Sequence, residues 1–220
     1  MTGRPIGMVT AVSASAHLAG DASGAANAGD AADARGGRGA RARILAAAGE
    51  LFHRRGINAT GIAELCATAR VSKRSLYQHF GSKDDVAAAY LDGLEHDPSY
   101  PPAALLARTD LAPRARLLEL FSALAHDRHP MRGSPVLNAA VEIADPGHPV
   151  HRLAAEHHRR FTERLANLAR EAGARDPDRV GRRLALLYDG AAAQIVVGDS
   201  PEPASEAQAL AAALLRAAID

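Results

Sequence analysis

The sequence predicts an all-α protein of about nine helices, in which a three-helix helix-turn-helix domain precedes a larger helical domain. Alanine, leucine and arginine, which are good helix formers, dominate the composition. Runs of Val, Ile, Thr and Tyr that alternate with period two are absent from the sequence, so strands are not expected. From Ala40 onward, apolar residues instead recur at helical spacing.

The first 37 residues differ from the rest because they are rich in Ala, Gly, Ser and Asp and present no periodic apolar face. Such a segment cannot offset the entropy lost on ordering, so we expect residues 1–37 to be a disordered extension. The basic run from Arg35 to Arg41 resembles a flexible arm that could lie in a minor groove. A solvated leader without a role explains the run equally well.

The first two helices of the predicted DNA-binding domain follow from spacing and end signals. One apolar stripe defines a helix that starts near Ala40, and Gly56 is expected to end it. Thr60 is the predicted N-cap of a short second helix that reaches about Thr68. The stripe of the first helix consists of Ile44, Leu45, Ala48, Leu51 and Phe52.

Two serines mark the starts of the next two helices. Ser72 is predicted to cap a third helix that buries Leu76 and Phe80. Ser82, followed three residues later by Asp85, resembles a capping box for a fourth helix.

The second half of the chain is predicted to hold five further helices. Prolines 98, 101 and 102 are expected to break the chain before them, and Ser205 is the predicted cap of the last helix. These features divide the chain into an extension (1–37), a helix-turn-helix domain (38–85) and a helical effector-binding and dimerisation domain (86–220). The five helices are expected at about 112–127, 134–143, 149–172, 177–197 and 205–219.

The charge of the chain is distributed unevenly. Between Arg35 and Lys83 it carries ten Lys or Arg and two acidic residues, a local charge of +8, whereas the remainder sums to −7. A basic block on an acidic protein is typical of a module that binds a polyanion. A solvated basic helix face explains the charge alone as well.

The second and third helices have the dimensions of a helix-turn-helix, whose recognition helix needs one anchored side and one side free for the major groove. Lys73, Arg74 and Ser75 lie in the first turn of the third helix, where a recognition helix meets base edges. Arginine can donate two parallel hydrogen bonds to guanine. The residues one turn further on that can reach bases or phosphates are Tyr77, Gln78 and His79.

The segments 43–56 and 71–83, with Thr60 between them, resemble the N-terminal domain of the TetR family of bacterial repressors. This resemblance implies that Thr60 and Lys83 contact phosphate. It also implies that the base-facing residues are Lys73, Arg74 and Ser75, with Tyr77 and His79 facing bases and backbone. Arg70 stands where the family usually has Gly in the turn, so it must either adopt a left-handed backbone or bend the turn differently.

The same resemblance implies a dimeric repressor that binds double-stranded operator DNA and is released from it by a small-molecule effector. Dimerisation is expected through about 177–197 and 204–219, and its two-fold symmetry would match a palindromic operator. The candidate pocket residues, most of which are also explained as core, are Phe121, Met131, Asn138, Glu142, Phe161 and Tyr188.

Asn138 and Glu142 are four residues apart on an otherwise apolar helix, so they need a polar partner. This partner is expected to be a ligand or one of two arginines, Arg132 and Arg152.

Several other classes of function are disfavoured. Cys66, the single cysteine, is predicted to be a small buried side chain rather than a redox sensor, and the ten histidines complete no recognisable metal-ligand set. We expect no metal, no cofactor, no membrane span and no enzyme activity, and a cytoplasmic location. The alternative is a helical small-molecule sensor whose DNA-binding module is vestigial.

Overall fold

The computed structural model describes residues 26–126, 133–198 and 200–219, and residues 37–220 belong to one compact unit. All regular structure within these ranges is helical. The helices are α1 (Ala26–Arg55), α2 (Ile62–Ala69), α3 (Lys73–His79), α4 (Lys83–Leu94), α5 (Pro101–Leu106), α6 (Pro113–His126), α7 (Pro135–Glu142), α8 (Pro149–Glu171), α9 (Pro177–Gly198) and α10 (Glu202–Ile219).

The N-terminal helices agree with the end signals in the sequence. Gly56 ends α1 with a φ of +92°, and the hydroxyl groups of Ser72 and Ser82 accept hydrogen bonds at the starts of α3 and α4. α1 begins at Ala26, upstream of Ala40, so the backbone of residues 26–37 is helical. Residues 1–25 of the predicted extension lie outside the described residues, and the domain boundaries remain predictions.

The chain breaks at the predicted prolines, because α4 ends at Leu94, but the sequence did not predict the short helix α5. Pro101 and Pro102 occupy its first turn, where a missing N–H leaves no helical hydrogen bond unmade. For the same reason Pro203 is tolerated near the start of α10, which begins at Glu202 rather than after Ser205.

The buried side chains form two clusters whose boundary does not follow the order of the helices. The first cluster contains the core of α1–α4 together with Val136 and Ala139 of α7 and Val150 and Ala154 of α8. The second lies between α6, α8, α9 and α10, and Phe121 is its largest fully buried side chain. The first turns of α7 and α8 therefore pack with the helix-turn-helix. No described helix combines the length and hydropathy needed to cross a bilayer.

Candidate nucleic-acid interface and effector cleft

The third helix, α3, is held by one side and exposed on the other. Ser72 caps it by accepting a hydrogen bond from the Ser75 N–H over 3.0 Å, and Leu76 is fully buried beneath it. The outward side carries Lys73, Arg74, Tyr77 and Gln78, all exposed, whereas Ser75 and His79 are half-buried at its edges. The six predicted base-facing residues thus lie on or beside one accessible surface.

The turn between α2 and α3 accommodates Arg70 by taking the first of the two predicted routes. Arg70 adopts a left-handed backbone, with φ 53° and ψ 49°. Its N–H donates to the Ala67 carbonyl, and the Val71 N–H donates to the Cys66 carbonyl over 3.0 Å. These bonds close the helix end in the way that glycine usually does, so the turn keeps the ordinary helix-turn-helix geometry.

Thr60 does not occupy the position that the sequence predicted. The N-cap of α2 is Gly61, which supplies no side-chain hydrogen bond. The Thr60 side chain is buried, and its hydroxyl donates to the Gly56 carbonyl over 2.7 Å. A buried and bonded hydroxyl shapes the turn between α1 and α2 but is unsuited to a phosphate contact.

Lys83 is likewise engaged within the protein. Its ammonium group donates to the backbone carbonyls of Ile57 (2.8 Å), Thr60 (3.2 Å) and Asn58 (3.4 Å). An ammonium group has three N–H donors, and these three carbonyls can accept all of them. Lys83 therefore fastens α4 to the α1–α2 turn, so the predicted phosphate contact would first have to break these bonds.

Other basic residues of this region also have structural roles. The Arg43 guanidinium donates to the Ala69 carbonyl over 3.1 Å, and that of Arg41 lies 5.4 Å from the centre of the Phe80 ring. Arg55 is paired with Glu64. By contrast, Lys73 and Arg74 form no ion pair with any described carboxylate, so the charge on α3 faces outward. Some residues of the basic block therefore stabilise the fold, whereas others are exposed to solvent.

Cys66 is a core residue, as predicted. It is buried between the helices of the DNA-binding domain. Burial raises the pKa of its thiol, which outweighs the opposite effect of nearby Lys73. The thiol therefore stays protonated at neutral pH, and the redox alternative has no support from its surroundings.

A second candidate site is a cleft of about 740 Å³ between the DNA-binding helices and the C-terminal helices. This volume falls within the range of roughly 300–1,000 Å³ that is usual for small-molecule sites. Its walls are mostly apolar, and its largest lining side chains include those of Leu45, Leu94, Tyr90, Tyr100, Leu124 and Tyr188.

The polar groups of the cleft favour uncharged ligands. Arg54 is paired with Glu50 over 3.0 Å, and Asp97 adds another carboxylate to the lining. Burial raises the pKa of Tyr90 to about 12 and also raises that of Tyr100, so both phenols remain protonated. Arg54 is the one guanidinium among the described lining residues, and because it is already paired, this part of the lining offers an anionic ligand no unpaired guanidinium.

The predicted pocket residues are only partly brought together. Tyr188 lines the cleft, and the Phe121 and Phe161 rings pack against it with centroids 6.1 and 5.3 Å away. Asn138 is half-buried on α7 and does not line the cleft. Met131 lies outside the described residues.

Glu142 lies elsewhere and has a partner that the sequence did not predict. Its carboxylate accepts a hydrogen bond from the backbone N–H of Asn58 over 2.9 Å, and the Asn58 side-chain amide donates to the Glu142 carbonyl over 2.9 Å. Of the two predicted arginine partners, Arg152 bonds to the Gly147 carbonyl instead, and Arg132 lies outside the described residues. Local sequence carried no signal of this contact, because the two residues are 84 positions apart.

Two of the histidines make contacts within the fold. His148 caps α8 by accepting from the Val150 N–H through Nδ1, so its Nε2 carries the proton and points at Asp84, 3.2 Å away. His151 lies 2.7 Å from the Ile143 carbonyl at the end of α7. Among the described residues no cluster of His, Cys, Asp and Glu could hold a metal ion.

A helix-turn-helix on a helical core, with a basic exposed face on its second helix, defines a DNA-binding transcriptional regulator. The model of the family described as bacterial regulatory proteins, tetR family, matches residues 44–90. A crystal structure of a TetR-family transcriptional regulator from Streptomyces coelicolor is 32% identical, with a TM-score of 0.74, and the match covers 83% of this chain and 97% of that one. The chain belongs to the TetR family of bacterial transcriptional regulators.

Two relatives with named regulatory roles are similar to parts of this chain. The regulator TtgR of Pseudomonas putida is 27% identical over 161 residues, which cover 68% of this chain and 77% of TtgR. The transcriptional activator FasR of Mycolicibacterium smegmatis is 38% identical over 90 residues, which cover 40% of this chain and 41% of FasR. Relatives therefore include at least one protein named as an activator.

Proposed function

We propose that this protein is a homodimeric repressor that binds a palindromic operator through α3 and leaves it when a small apolar molecule occupies the cleft. The exposed face of α3 is the observation that supports the DNA-binding part of this proposal. Lys73, Arg74, Tyr77 and Gln78 point outward from a helix whose opposite side is fully buried. Such a helix can enter the major groove without losing its own packing.

Arg74 is proposed to read guanine, because it is exposed in the first turn and no described carboxylate competes for its guanidinium. Lys73, Tyr77, Gln78, Ser75 and His79 are proposed to contact neighbouring bases and phosphates. Thr60 and Lys83 are proposed to contribute indirectly, by shaping the turn on which α2 rests.

The dimer is proposed to form through α9 and α10. Leu186 and Val197 of α9 are 74% and 89% exposed, and Leu210 of α10 is 55% exposed. These three side chains border one groove between the two helices. An apolar surface of this kind is typical of a protein–protein interface, and a two-fold axis there would pair two recognition helices.

The experiment is a gel-shift titration of the purified protein against the DNA that flanks its own gene. We expect specific binding in the nanomolar range with strong salt dependence. Arg74→Ala should lose about 1–3 kcal/mol and relax specificity at one position of each half-site. Arg114→Ala, which removes an arginine from α6, is the matched control and should bind like wild type.

Weak binding that does not distinguish the operator from unrelated DNA would contradict the proposal. That result would favour a small-molecule sensor whose DNA-binding module no longer reads sequence. Equal operator binding by Arg74→Ala and Arg114→Ala would show instead that Arg74 is not the residue that reads guanine.

A further inference from the structure

Helix α7 joins the cleft to the DNA-binding turn. Ser134 and Pro135, at its N-terminal end, line the cleft. Glu142, its last residue, contacts the turn between α1 and α2. The helix has eight residues, so its two ends are about 12 Å apart.

The middle of α7 belongs to the core of the DNA-binding domain rather than to that of the C-terminal domain. Val136 and Ala139 are 3% and 1% exposed and pack in the same cluster as Leu65 and Leu76. His151 of α8 contacts the Ile143 carbonyl and so supports the C-terminal end of α7. A short, closely packed helix is rigid, so a displacement of its N-terminal end is carried to Glu142 at its C-terminal end.

The turn itself is held from two sides by opposite charges. The Asn58 N–H donates to the Glu142 carboxylate over 2.9 Å, and the Asn58 carbonyl is one of three that accept from the Lys83 ammonium. The Asn58 side chain returns a hydrogen bond to the Glu142 carbonyl. Bonds that involve a charged partner are about twice as strong as neutral ones. We call the paired contacts of Glu142 and Asn58 the clasp.

Gly56 leaves room for the clasp. A Cβ atom at this position would lie 2.7 Å from the carboxyl carbon of Glu142, closer than real contacts allow. Its φ of +92° also suits glycine alone among the common residues. The turn therefore fits against Glu142 only with the residue that the sequence has there.

We propose that Glu142 is a positioning residue for DNA binding, and that α7 transmits the occupancy of the cleft to the recognition helix through the clasp. This rests on the proposed function. The turn leads directly into α2, and α2 leads through Arg70 into α3, so a shift of the turn moves the reading face. A ligand that displaces Ser134 and Pro135 would pull Glu142 from Asn58 and release that constraint.

Operator binding tests the first part. Glu142→Ala should weaken binding about tenfold, as expected for the loss of one charge-assisted hydrogen bond, and Glu142→Gln should recover much of the loss because its amide oxygen still accepts. Glu163→Ala is the matched control, because it removes a surface glutamate that is paired with Arg159 on α8. A purely electrostatic role predicts the opposite sign, since removing a negative charge would tighten DNA binding.

Amide hydrogen exchange tests the clasp without DNA. The amides of residues 57–60 should exchange about tenfold faster in Glu142→Ala than in Glu163→Ala, with intermediate rates in Glu142→Gln. The neutral dye N-phenyl-1-naphthylamine at saturation should also accelerate these amides in wild type but not in Glu142→Ala.

Unchanged exchange at residues 57–60 in Glu142→Ala would overturn the clasp, whatever the protein does with DNA. Faster exchange combined with wild-type operator affinity would overturn the positioning role. If the amides of residues 57–60 exchange slowly in wild type and faster in Glu142→Ala, but wild type shows no specific operator binding, the proposed function is refuted while the clasp stands. An absence of any dye effect on the wild-type turn would overturn the transmission through α7.

Discussion

At the scale of single residues, the turn of the helix-turn-helix contains a strained backbone. Arg70 has φ 53°, and among described residues other than glycine it is the one with a positive φ. A left-handed backbone destabilises the folded state by about 1–2 kcal/mol at a residue that has a Cβ atom. Glycine avoids this cost, but it loses more conformational entropy on folding, which offsets part of the gain. The surrounding hydrogen bonds to Ala67 and Cys66 are made by the backbone, so they do not require arginine.

Arg70→Gly should therefore raise the free energy of unfolding by about 0.5–1 kcal/mol. Thermal denaturation would show this as an increase in Tm of about 1–4 °C. Arg70→Ala is the control, because it removes the same exposed side chain and retains the backbone cost. Equal Tm values for the two variants would show that the strain is absent.

A second residue-scale prediction separates a lysine that meets DNA from one that supports the fold. Lys73→Gln should lower the slope of log affinity against log salt by about one, because a cation that enters the counterion atmosphere displaces ions. Lys83→Gln should weaken binding with a much smaller change of slope, since its ammonium is bonded to the carbonyls of the turn. A full unit of slope lost in Lys83→Gln would restore the phosphate contact that the family resemblance implied.

At the scale of secondary-structure elements, α9 and α10 present apolar side chains on both of their faces. Their inner faces bury Leu184 and Leu215 in the second core cluster. Their outer faces leave Leu186, Val197 and Leu210 largely exposed. A helix that is apolar on both faces needs a second packing partner. The proposed dimer supplies it without altering the monomer fold.

The double variant Leu186→Glu/Leu210→Glu should thus be monomeric in sedimentation equilibrium at concentrations where wild type is dimeric. Two like charges on each face of a two-fold interface would be brought together and desolvated. Val141→Glu, which alters another highly exposed apolar residue on α7, should remain dimeric. A dimeric double variant would show that the interface lies on another surface.

At the scale of the whole molecule, the cleft touches both functional regions. Its lining includes Gly49 and Tyr90 from α1 and α4 of the DNA-binding region, and Leu124 and Tyr188 from the C-terminal helices. A ligand there would contact the DNA-binding helices directly as well as through α7. Binding that differs between two arrangements of these helices shifts their populations, which is the physical requirement for an effector.

Gly93 allows the cleft to be filled without disturbing the fold, because a Cβ atom there would meet nothing within 4 Å. Gly93→Phe should weaken the binding of N-phenyl-1-naphthylamine about tenfold, whereas Gly93→Ala should bind it like wild type. The anionic analogue 1-anilinonaphthalene-8-sulfonate should bind wild type more weakly, because the Asp97 carboxylate lines the cleft. Fluorescence titration measures all four affinities, which are those of wild type and the two variants for the neutral dye and that of wild type for the anionic dye. Equal dye binding by the Phe and Ala variants would place the dye outside the cleft.

The sequence by itself determined most of the helices, their order and the exposed face of α3. Gly56, Ser72 and Ser82 act on neighbouring backbone, and the apolar stripe of α1 reflects its own periodicity, so these signals are local. The exposed face of α3 follows from the same periodicity. Proline was the exception, because its effect depends on whether it falls in the first turn of a helix or beyond it.

Tertiary structure alone decided which polar residues of the basic region are exposed and which are bonded within the fold. Lys83 bonds to carbonyls up to 26 residues away, and Glu142 bonds to Asn58 across 84 residues. A polar or charged side chain in the fold bonds to the group that tertiary packing places next to it, and the neighbouring sequence does not predict which group that is. For the same reason the packing of α7, together with the start of α8, against the helix-turn-helix core emerged only from the folded chain.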